Sequence, residues 1–449
     1  MKKLFGTDGI RGFANKEPMT SETVLKIGKA IAYYCIKKQK NPRIIIAKDT
    51  RISGDTIMYA LTSGITSMGL EVAFAGTIPT PALAFLTKTL NYGLGVMITA
   101  SHNPFYDNGI KLVGDNGYKL SDLQEEKIEK IILDANNRPS SSDISKTGQT
   151  HILKDPLKKY IDFLKKSAQI NKLKKNIKIV ADCANGAGSF ALFRLFSELN
   201  IKAQILFDKP NGTNINEKCG SEHPETLAAK VIETNADIGI ALDGDADRLA
   251  AIDEKGNTIH GDALAAIYAK DYQDKNRLKN NSVVTTIMSN AGLGATFKKM
   301  NITHYKAGVG DKYVMEKMLE TGSVFGGEYS GHIIFGDNHT AGDGLLALLK
   351  LIKIIEQTGK PLSELAKIVT IMPQIVINVN VASKPDISKI PQISNAIKTA
   401  EQKLKNNGRV LVRYSGTQPK CRVMVEAQDK NKAREICKNI ADIIKNNIK

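Results

Sequence analysis

Arg43-Ile-Ile-Ile-Ala47, a helical pattern from Asp55 to Met68, then a second short apolar run from Leu70 to Ala75 set the reading of the fold. Pro81 to Leu90 again shows helical periodicity, and Tyr92 to Thr99 is a third buried run. Short apolar runs that alternate with helix-length segments predict a parallel sheet built from βαβ units. A charged amphipathic helix is predicted from Asp122 to Asn136. Arg138-Pro-Ser-Ser-Ser-Asp143 follows and reads as a domain boundary.

The rhythm returns twice. Strands are expected at Ile177–Ala181, Gln204–Phe207 and Asp237–Leu242, with helices at Gly188–Leu199 and Glu225–Thr234. The third round predicts helices at Ala263–Tyr272, Leu293–Met300 and Lys312–Leu319, and strands at Val283–Met288 and His332–Phe335. The final segment differs. Strands at Ile375–Val381, Val410–Tyr414 and Arg422–Ala427 mix with helices at Ile393–Lys405 and Lys432–Lys445. The expected organisation is three similar α/β domains with mixed, mostly parallel sheets at 1–150, 151–255 and 256–370. A C-terminal α+β domain is expected at 371–449.

The 449 residues carry a net charge of +17, which raises the question of a polyanionic partner. Lysines are spread along the chain rather than clustered with aromatics, so no nucleic-acid partner is expected. Apolar residues at 42% and charged residues at 24% match ordinary globular usage and exclude global disorder. Cys35, Cys183, Cys219, Cys421 and Cys437 are scattered and odd in number, which argues against a disulfide framework or a zinc ribbon. No secretory signal is read at the N-terminus. The strongest apolar helix, Leu345–Ile355, is interrupted by Lys350 and Lys353, so no membrane partner is expected. A soluble cytoplasmic protein is the expectation.

Four loops carry chemistry. Thr99-Ala-Ser-His-Asn-Pro104 follows a buried strand and leads to Asn108-Gly-Ile-Lys111. Open α/β sheets bind ligands at the carboxyl ends of their strands, so Ser101 is a candidate nucleophile or phosphoryl carrier with His102 and Lys111 beside it. A polar turn stopped by Pro104 is the bland alternative. Asp243-Gly-Asp-Ala-Asp-Arg248 places three carboxylates within five residues, an arrangement that a hard divalent cation would stabilise. Oxygen-only donors favour Mg²⁺ or Ca²⁺ over zinc. An EF-hand is excluded because its sixth position must be Gly and here is Arg248, and because this loop leaves a strand.

Arg413-Tyr-Ser-Gly-Thr-Gln-Pro-Lys-Cys-Arg422 offers the hydroxyls of Ser415 and Thr417, close backbone approach at Gly416, and the planar forks of Arg413 and Arg422. It reads as a phosphate loop or as a charged hairpin. In Gly326-Gly-Glu-Tyr-Ser-Gly-His332, Glu328 and Ser330 could bond sugar hydroxyls, or the segment could be a tight turn. Phe5-Gly-Thr-Asp-Gly-Ile-Arg-Gly12 could bring Arg11 to an anion. Asn211–Asn216 and Cys219–Pro224 read only as loops.

Taken together, these segments resemble the α-D-phosphohexomutase superfamily over essentially the whole chain. The opening Phe5–Gly12 together with Val309-Gly-Asp-Lys-Tyr-Val314 and Gly342-Asp-Gly344 is similar to its bacterial branch acting on glucosamine phosphates. The resemblance implies four domains around a central cleft, with Ser101 carried as phosphoserine. It implies one Mg²⁺ held by Asp243, Asp245, Asp247 and an oxygen on Ser101. Arg11 and Arg248 would supply charge at the transferring group. Lys111 and His332 would be the candidates for proton transfer, with His102 beside Ser101. Glu328 and Ser330 would grip the sugar, and Arg413, Ser415, Gly416, Thr417 and Arg422 the non-reacting phosphate. The implied partners are small sugar phosphates and an activating phosphoryl donor for Ser101, a kinase or a bisphosphosugar. A homodimer is one assembly it allows. Tyr414, Gln418, Lys312 and Tyr329 depart from residues common in the family and bear on sugar preference; phosphomannomutase/phosphoglucomutase activity is the alternative.

Overall fold

A computed structural model describes residues 4–39, 42–134, 140–172, 177–405, 408–414 and 419–448. The chain folds as two compact units. One is Met1–Met288 with Ile302–Ile368, and the other is Ser289–Asn301 with Val369–Lys449.

The larger unit holds three sheets. The first has seven strands in the order Phe5–Gly6, Gly9–Phe13, Asp107–Gly114, Leu94–Ile98, Ile44–Lys48, Val72–Thr77, Thr150–Ile152. The second has five, in the order Thr258–Ile259, Leu249–Ile252, Ile238–Leu242, Ile179–Asp182, Ala203–Leu206. The third has four, in the order Thr303–Ala307, Ser282–Thr286, Phe325–Gly327, Ile333–Phe335. Ile44, Ile46, Val72, Leu94 and Val96 pack with Ile27, Ile31, Leu61 and Ile65 of two flanking helices to form the first core. This is why the β-branched runs have no polar face: helices cover the parallel strands.

All three sheets share one device. A strand lying parallel to its neighbour turns back through a short loop into an antiparallel partner. Leu94–Ile98 returns as Asp107–Gly114, Ile238–Leu242 as Leu249–Ile252, and Phe325–Gly327 as Ile333–Phe335. The connecting loops are the three motif loops of this unit. The return strands Asp107–Gly114 and Leu249–Ile252 are not evident in the sequence. Lys111 interrupts the apolar pattern of the first, yet it is buried there with only 2% of its surface exposed. The second spans only four residues.

The helices Ser21–Lys38 and Pro156–Ala168, the strand Gly9–Phe13 and the edge strand Thr303–Ala307 also lie beyond the sequence reading. The smaller unit is an antiparallel sheet ordered Gln374–Asn380, Lys420–Ala427, Gly408–Tyr414, packed on helices Pro391–Leu404 and Lys430–Asn447 through Ile393, Leu404, Cys437 and Ile440.

Candidate active site

Ser101 sits just beyond the strand Leu94–Ile98, with a left-handed φ of +52° and almost no exposed surface. A non-glycine residue holds such a conformation only where its surroundings fix it. Here the fixing group is Arg51, wholly buried. Its Nη2 donates to the carbonyls of Ser101 at 2.9 Å and Asn103 at 2.7 Å. Its Nη1 donates to the carbonyls of Asp107 at 3.0 Å and Pro104. Nε pairs with Asp49 at 2.9 Å, and Asp49 in turn accepts the Thr99 hydroxyl at 2.7 Å. The same hydroxyl accepts the Ser101 N–H at 2.9 Å. Asn216 adds donors to the carbonyls of Ser101 at 2.8 Å and Asn103 at 2.9 Å.

The aspartate loop meets Ser101 directly. Its hydroxyl donates to Oδ2 of Asp243 at 2.6 Å. Gly244 makes the approach feasible, because a Cβ there would lie 2.6 Å from the Ser101 carbonyl oxygen. Asp243, Asp245 and Asp247 are all buried, with one carboxylate oxygen of each within 4.8 Å of the others. Oδ2 of Asp245 accepts from Thr80 Oγ1 at 2.5 Å and Lys111 Nζ at 2.8 Å. Oδ1 of Asp245 and Oδ1 of Asp247 are buried with no hydrogen-bond donor. Burial, then the charges of Asp247 and Asp245, push the Asp243 carboxyl well above its usual range. Three buried carboxylates, two of them with an orphaned oxygen, form a hard, oxygen-only donor set, which fits a divalent metal ion.

Cations ring these acids. Lys111 Nζ lies 2.9 Å from Asp8, 2.8 Å from Asp245 and 3.5 Å from Asp247. Burial opposes its charge, but those carboxylates win and hold its ammonium well above the ordinary range. Burial likewise opposes the charge on Asp247, and Lys111 and His332 overcome it to hold that carboxyl well below the ordinary range. His332 contacts Asp311 through Nε2 at 3.2 Å and Asp247 through Nδ1 at 3.6 Å. Against the cost of burial, these two acids lift it to about 10, so the imidazole is cationic at neutral pH.

Lys119 joins Asp8 to Asp311, lying 2.7 Å from the latter. His102 is the opposite case. Burial and Arg248 lower it to about 4, and neutral Nδ1 lies 3.3 Å from the Ser101 hydroxyl. Arg248 pairs with Glu222 at 3.1 Å, and Arg11 donates to Asn103 at 3.2 Å. Glu328 accepts the Gly310 N–H at 2.9 Å, and burial raises its carboxyl against the charges of His332 and Arg248. Ser330 lies half-buried in the same turn, and Tyr329 between them is exposed and stacked on His260. Lys312 is buried and pairs with Asp122 at 2.6 Å and Glu125 at 2.9 Å.

In the smaller unit, Arg413 and Arg422 are directly opposite each other on antiparallel strands, and Nε of Arg422 is buried without a hydrogen-bond acceptor. Like charges facing across a sheet are unfavourable unless an anion joins them. Ser415, Gly416, Thr417 and Gln418 lie outside the described residues.

Thus Ser101, His102, Lys111, Arg11, the three aspartates, Arg248, Glu328, Ser330 and His332 gather in the larger unit. Sequence reasoning misses Asp49, Arg51, Asp8, Lys119 and Asp311, which hold the others in place. It also misses Asn216 and Glu222, which occupy segments that read as plain loops. Asp8 and Asp311 lie inside quoted motifs without being singled out. The others are set by partners that include residues far away in sequence, such as the Ser101 carbonyl for Arg51 and Asn216.

Comparison with known proteins shows the family. Three domains described as phosphoglucomutase/phosphomannomutase, alpha/beta/alpha domains I, II and III, match residues 2–139, 158–256 and 260–371. The C-terminal domain of that family matches residues 376–443. The phosphoglucosamine mutase of Syntrophobacter fumaroxidans is 48% identical over 445 residues, covering 99% of each chain. That of Desulforapulum autotrophicum is 49% identical, again covering 99% of each. In fold, the chain is similar to a Burkholderia thailandensis phosphoglucomutase/phosphomannomutase family protein, with a TM-score of 0.82, 23% identity and coverage of 99% and 98%. An Aspergillus fumigatus N-acetylphosphoglucosamine mutase, solved in complex with GlcNAc-6P and magnesium, gives a TM-score of 0.70 at 17% identity, covering 100% of this chain and 96% of that one. The order of the four domains and the full-length identity place the chain in the phosphoglucomutase/phosphomannomutase family, among its phosphoglucosamine mutases.

Proposed function

We propose that this protein interconverts glucosamine 6-phosphate and glucosamine 1-phosphate, supplying UDP-N-acetylglucosamine and cell-wall synthesis, with Ser101 as the phosphoryl carrier. The observation that carries the reading is the Ser101 hydroxyl, held by a strained backbone and bonded at 2.6 Å to one of three buried aspartates. Phosphoryl transfer needs positioning and charge neutralisation more than covalent machinery, and this site is built of those two things.

In the active enzyme Ser101 is phosphorylated. The C1 hydroxyl of glucosamine 6-phosphate attacks that phosphorus, the bond from phosphorus to the Ser101 oxygen breaks, and a 1,6-bisphosphate results. The bisphosphate turns over, and its 6-phosphoryl group passes back to the Ser101 oxygen, leaving glucosamine 1-phosphate. Asp243, Asp245 and Asp247 would hold Mg²⁺, which when bound neutralises charge at the transferring group. Arg11 and Arg248 add fixed positive charge there. Lys111, clamped by three carboxylates, stays charged and serves the same end. Lys111 and His332 are the candidates for proton transfer at the sugar hydroxyl. His332, as a cation, gives its proton to the sugar oxygen released in the second transfer. The neutral imidazole so formed takes up the C1 hydroxyl proton in the first transfer of the next turnover. Glu328 and Ser330 bond the sugar in both orientations. Arg413 and Arg422, with Ser415, Gly416 and Thr417, take the phosphate that is not reacting. Ser101 is first charged by a kinase or a bisphosphosugar, and a homodimer is compatible with this chemistry.

A rate panel with glucosamine, glucose and mannose phosphates tests the substrate. Glucosamine 1-phosphate is expected to turn over fastest. Faster turnover of glucose 1-phosphate or mannose 1-phosphate would transfer the assignment to phosphoglucomutase/phosphomannomutase activity.

A further inference from the structure

The helix Gly344–Thr358 buries nearly every residue from Leu345 to Ile355, and among these apolar side chains sits Lys350, 7% exposed. No step proposed above uses it. Its Nζ donates to the Tyr272 hydroxyl at 3.2 Å and lies 4.7 Å from the ring centre of Phe335. Among the described residues no carboxylate forms an ion pair with it and no backbone carbonyl accepts from it. A buried cation is costly unless it is paired, and a Met or Leu would fill this space without that cost.

Lys350 lines a cavity of about 260 Å³ with three further cations, Lys275, Arg277 and Lys353, and one acid, Asp271. Lys275 is paired with Asp271 at 2.5 Å and Arg277 with Asp337 at 2.5 Å. Lys353 caps the helix Pro156–Ala168, donating to the carbonyls of Ala168 at 3.0 Å and Gln169 at 3.3 Å. Capping explains Lys353, whereas Lys350 has only the Tyr272 hydroxyl and the ring faces of Phe335 and Tyr272 as partners and no anion. Burial, then the charge of Arg277, lowers Lys350 to about 8. Burial, then Lys275, lowers Lys353 as well. The cations crowd one another in a concave site that an anion would relieve.

We propose that this cavity is a binding site for a small anion with two negative charges, a phosphate monoester or a dicarboxylate. Its volume is below the roughly 300–1,000 Å³ of drug-sized ligand sites, which limits the occupant to a small molecule. None of its lining residues belongs to the loops of the active site.

The test is calorimetric titration of inorganic phosphate, and in parallel succinate, into the Mg²⁺-loaded full-length protein. Wild type is compared with Lys350→Met and, nearer the rim, Lys353→Met. For at least one of the two anions, wild type is expected to bind one equivalent that Lys350→Met loses or binds at least tenfold more weakly. Lys350→Arg retains it, and turnover without added anion is the same in all. The tighter of the two anions identifies phosphoryl or carboxylate recognition. Lys353→Met, expected to weaken the same site, keeps the test open should Lys350→Met fold poorly. Equal stoichiometry and affinity in wild type and both methionine variants would overturn the proposal. So would anion binding that survives both and disappears in Arg422→Met, which would assign all of it to the phosphate loop.

Discussion

The Ser101 hydroxyl donates to Asp243 at 2.6 Å across 142 positions of sequence. Each residue lies at the tip of a hairpin from a different sheet, so the bond joins two sheets at their carboxyl ends. The contact depends on the backbone of each loop as much as on the side chains: Ser101 is left-handed, and Gly244 leaves room for its carbonyl.

Arg51 is the residue that fixes that backbone. Arg51→Lys keeps the charge beside Asp49 and loses the fork that gathers the carbonyls of Ser101, Asn103 and Asp107. Misplacing a reacting group by about 1 Å costs about 100-fold in rate. Steady-state kinetics of this variant should show kcat reduced about 10- to 100-fold with KM little changed, since Arg51 touches no substrate group. A rise in KM at unchanged kcat would contradict the positioning role.

The three buried aspartates repel one another, which a bound divalent cation would relieve. Mg²⁺ at about 100 times its Kd should stabilise wild type by about 2.7 kcal/mol, read as a higher Tm. Asp245→Asn should weaken that response. In metal-free buffer the same variant loses one of the repelling charges, although it also weakens the partner of Lys111, so the response to metal is the decisive readout. Excess chelator should abolish turnover and Mg²⁺ should restore it.

Much of this architecture can be read in the sequence, because βαβ units announce themselves through runs such as Arg43–Ala47 and because Ser101 and the aspartates stand in compact motifs. The return strand Asp107–Gly114 stays hidden because a buried, ion-paired Lys111 breaks the pattern that marks a strand, and Leu249–Ile252 because it is only four residues long. Arg51, Asn216 and Glu222 stay hidden because their partners are loop carbonyls or a remote arginine, which leave no local spacing. Lys350 is visible as an interruption in an apolar helix, but nothing in the sequence tells that it is buried.

Lys350 also governs a pH dependence. Its folded value of about 8 lies below the ordinary 10.5, so the unfolded chain binds the extra proton between these values. Stability from this group therefore rises as pH climbs from 8 to 10.5, and its cost is complete below 8. Lys350→Met should raise stability by about 1–3 kcal/mol at pH 7 in low-anion buffer, with the gain shrinking toward pH 10. Urea denaturation at both pH values checks this; a loss of stability at pH 7 would show that the ammonium is compensated in the fold.

Arg422 faces Arg413 in register and presents an unbonded Nε. Under the proposed function it holds the non-reacting phosphate equally before and during transfer, so Arg422→Met should raise KM about 10- to 100-fold and change kcat less.

Ser101 as the phosphoryl carrier can be tested directly. Wild type and Ser101→Ala, each incubated with a hexose 1,6-bisphosphate, are compared by intact mass, site mapping and turnover. Wild type should carry one phosphoryl group on Ser101, and the variant should carry none, keep its Tm, and lose at least about 10³-fold in turnover. A folded Ser101→Ala protein that turns over near the wild-type rate would contradict it.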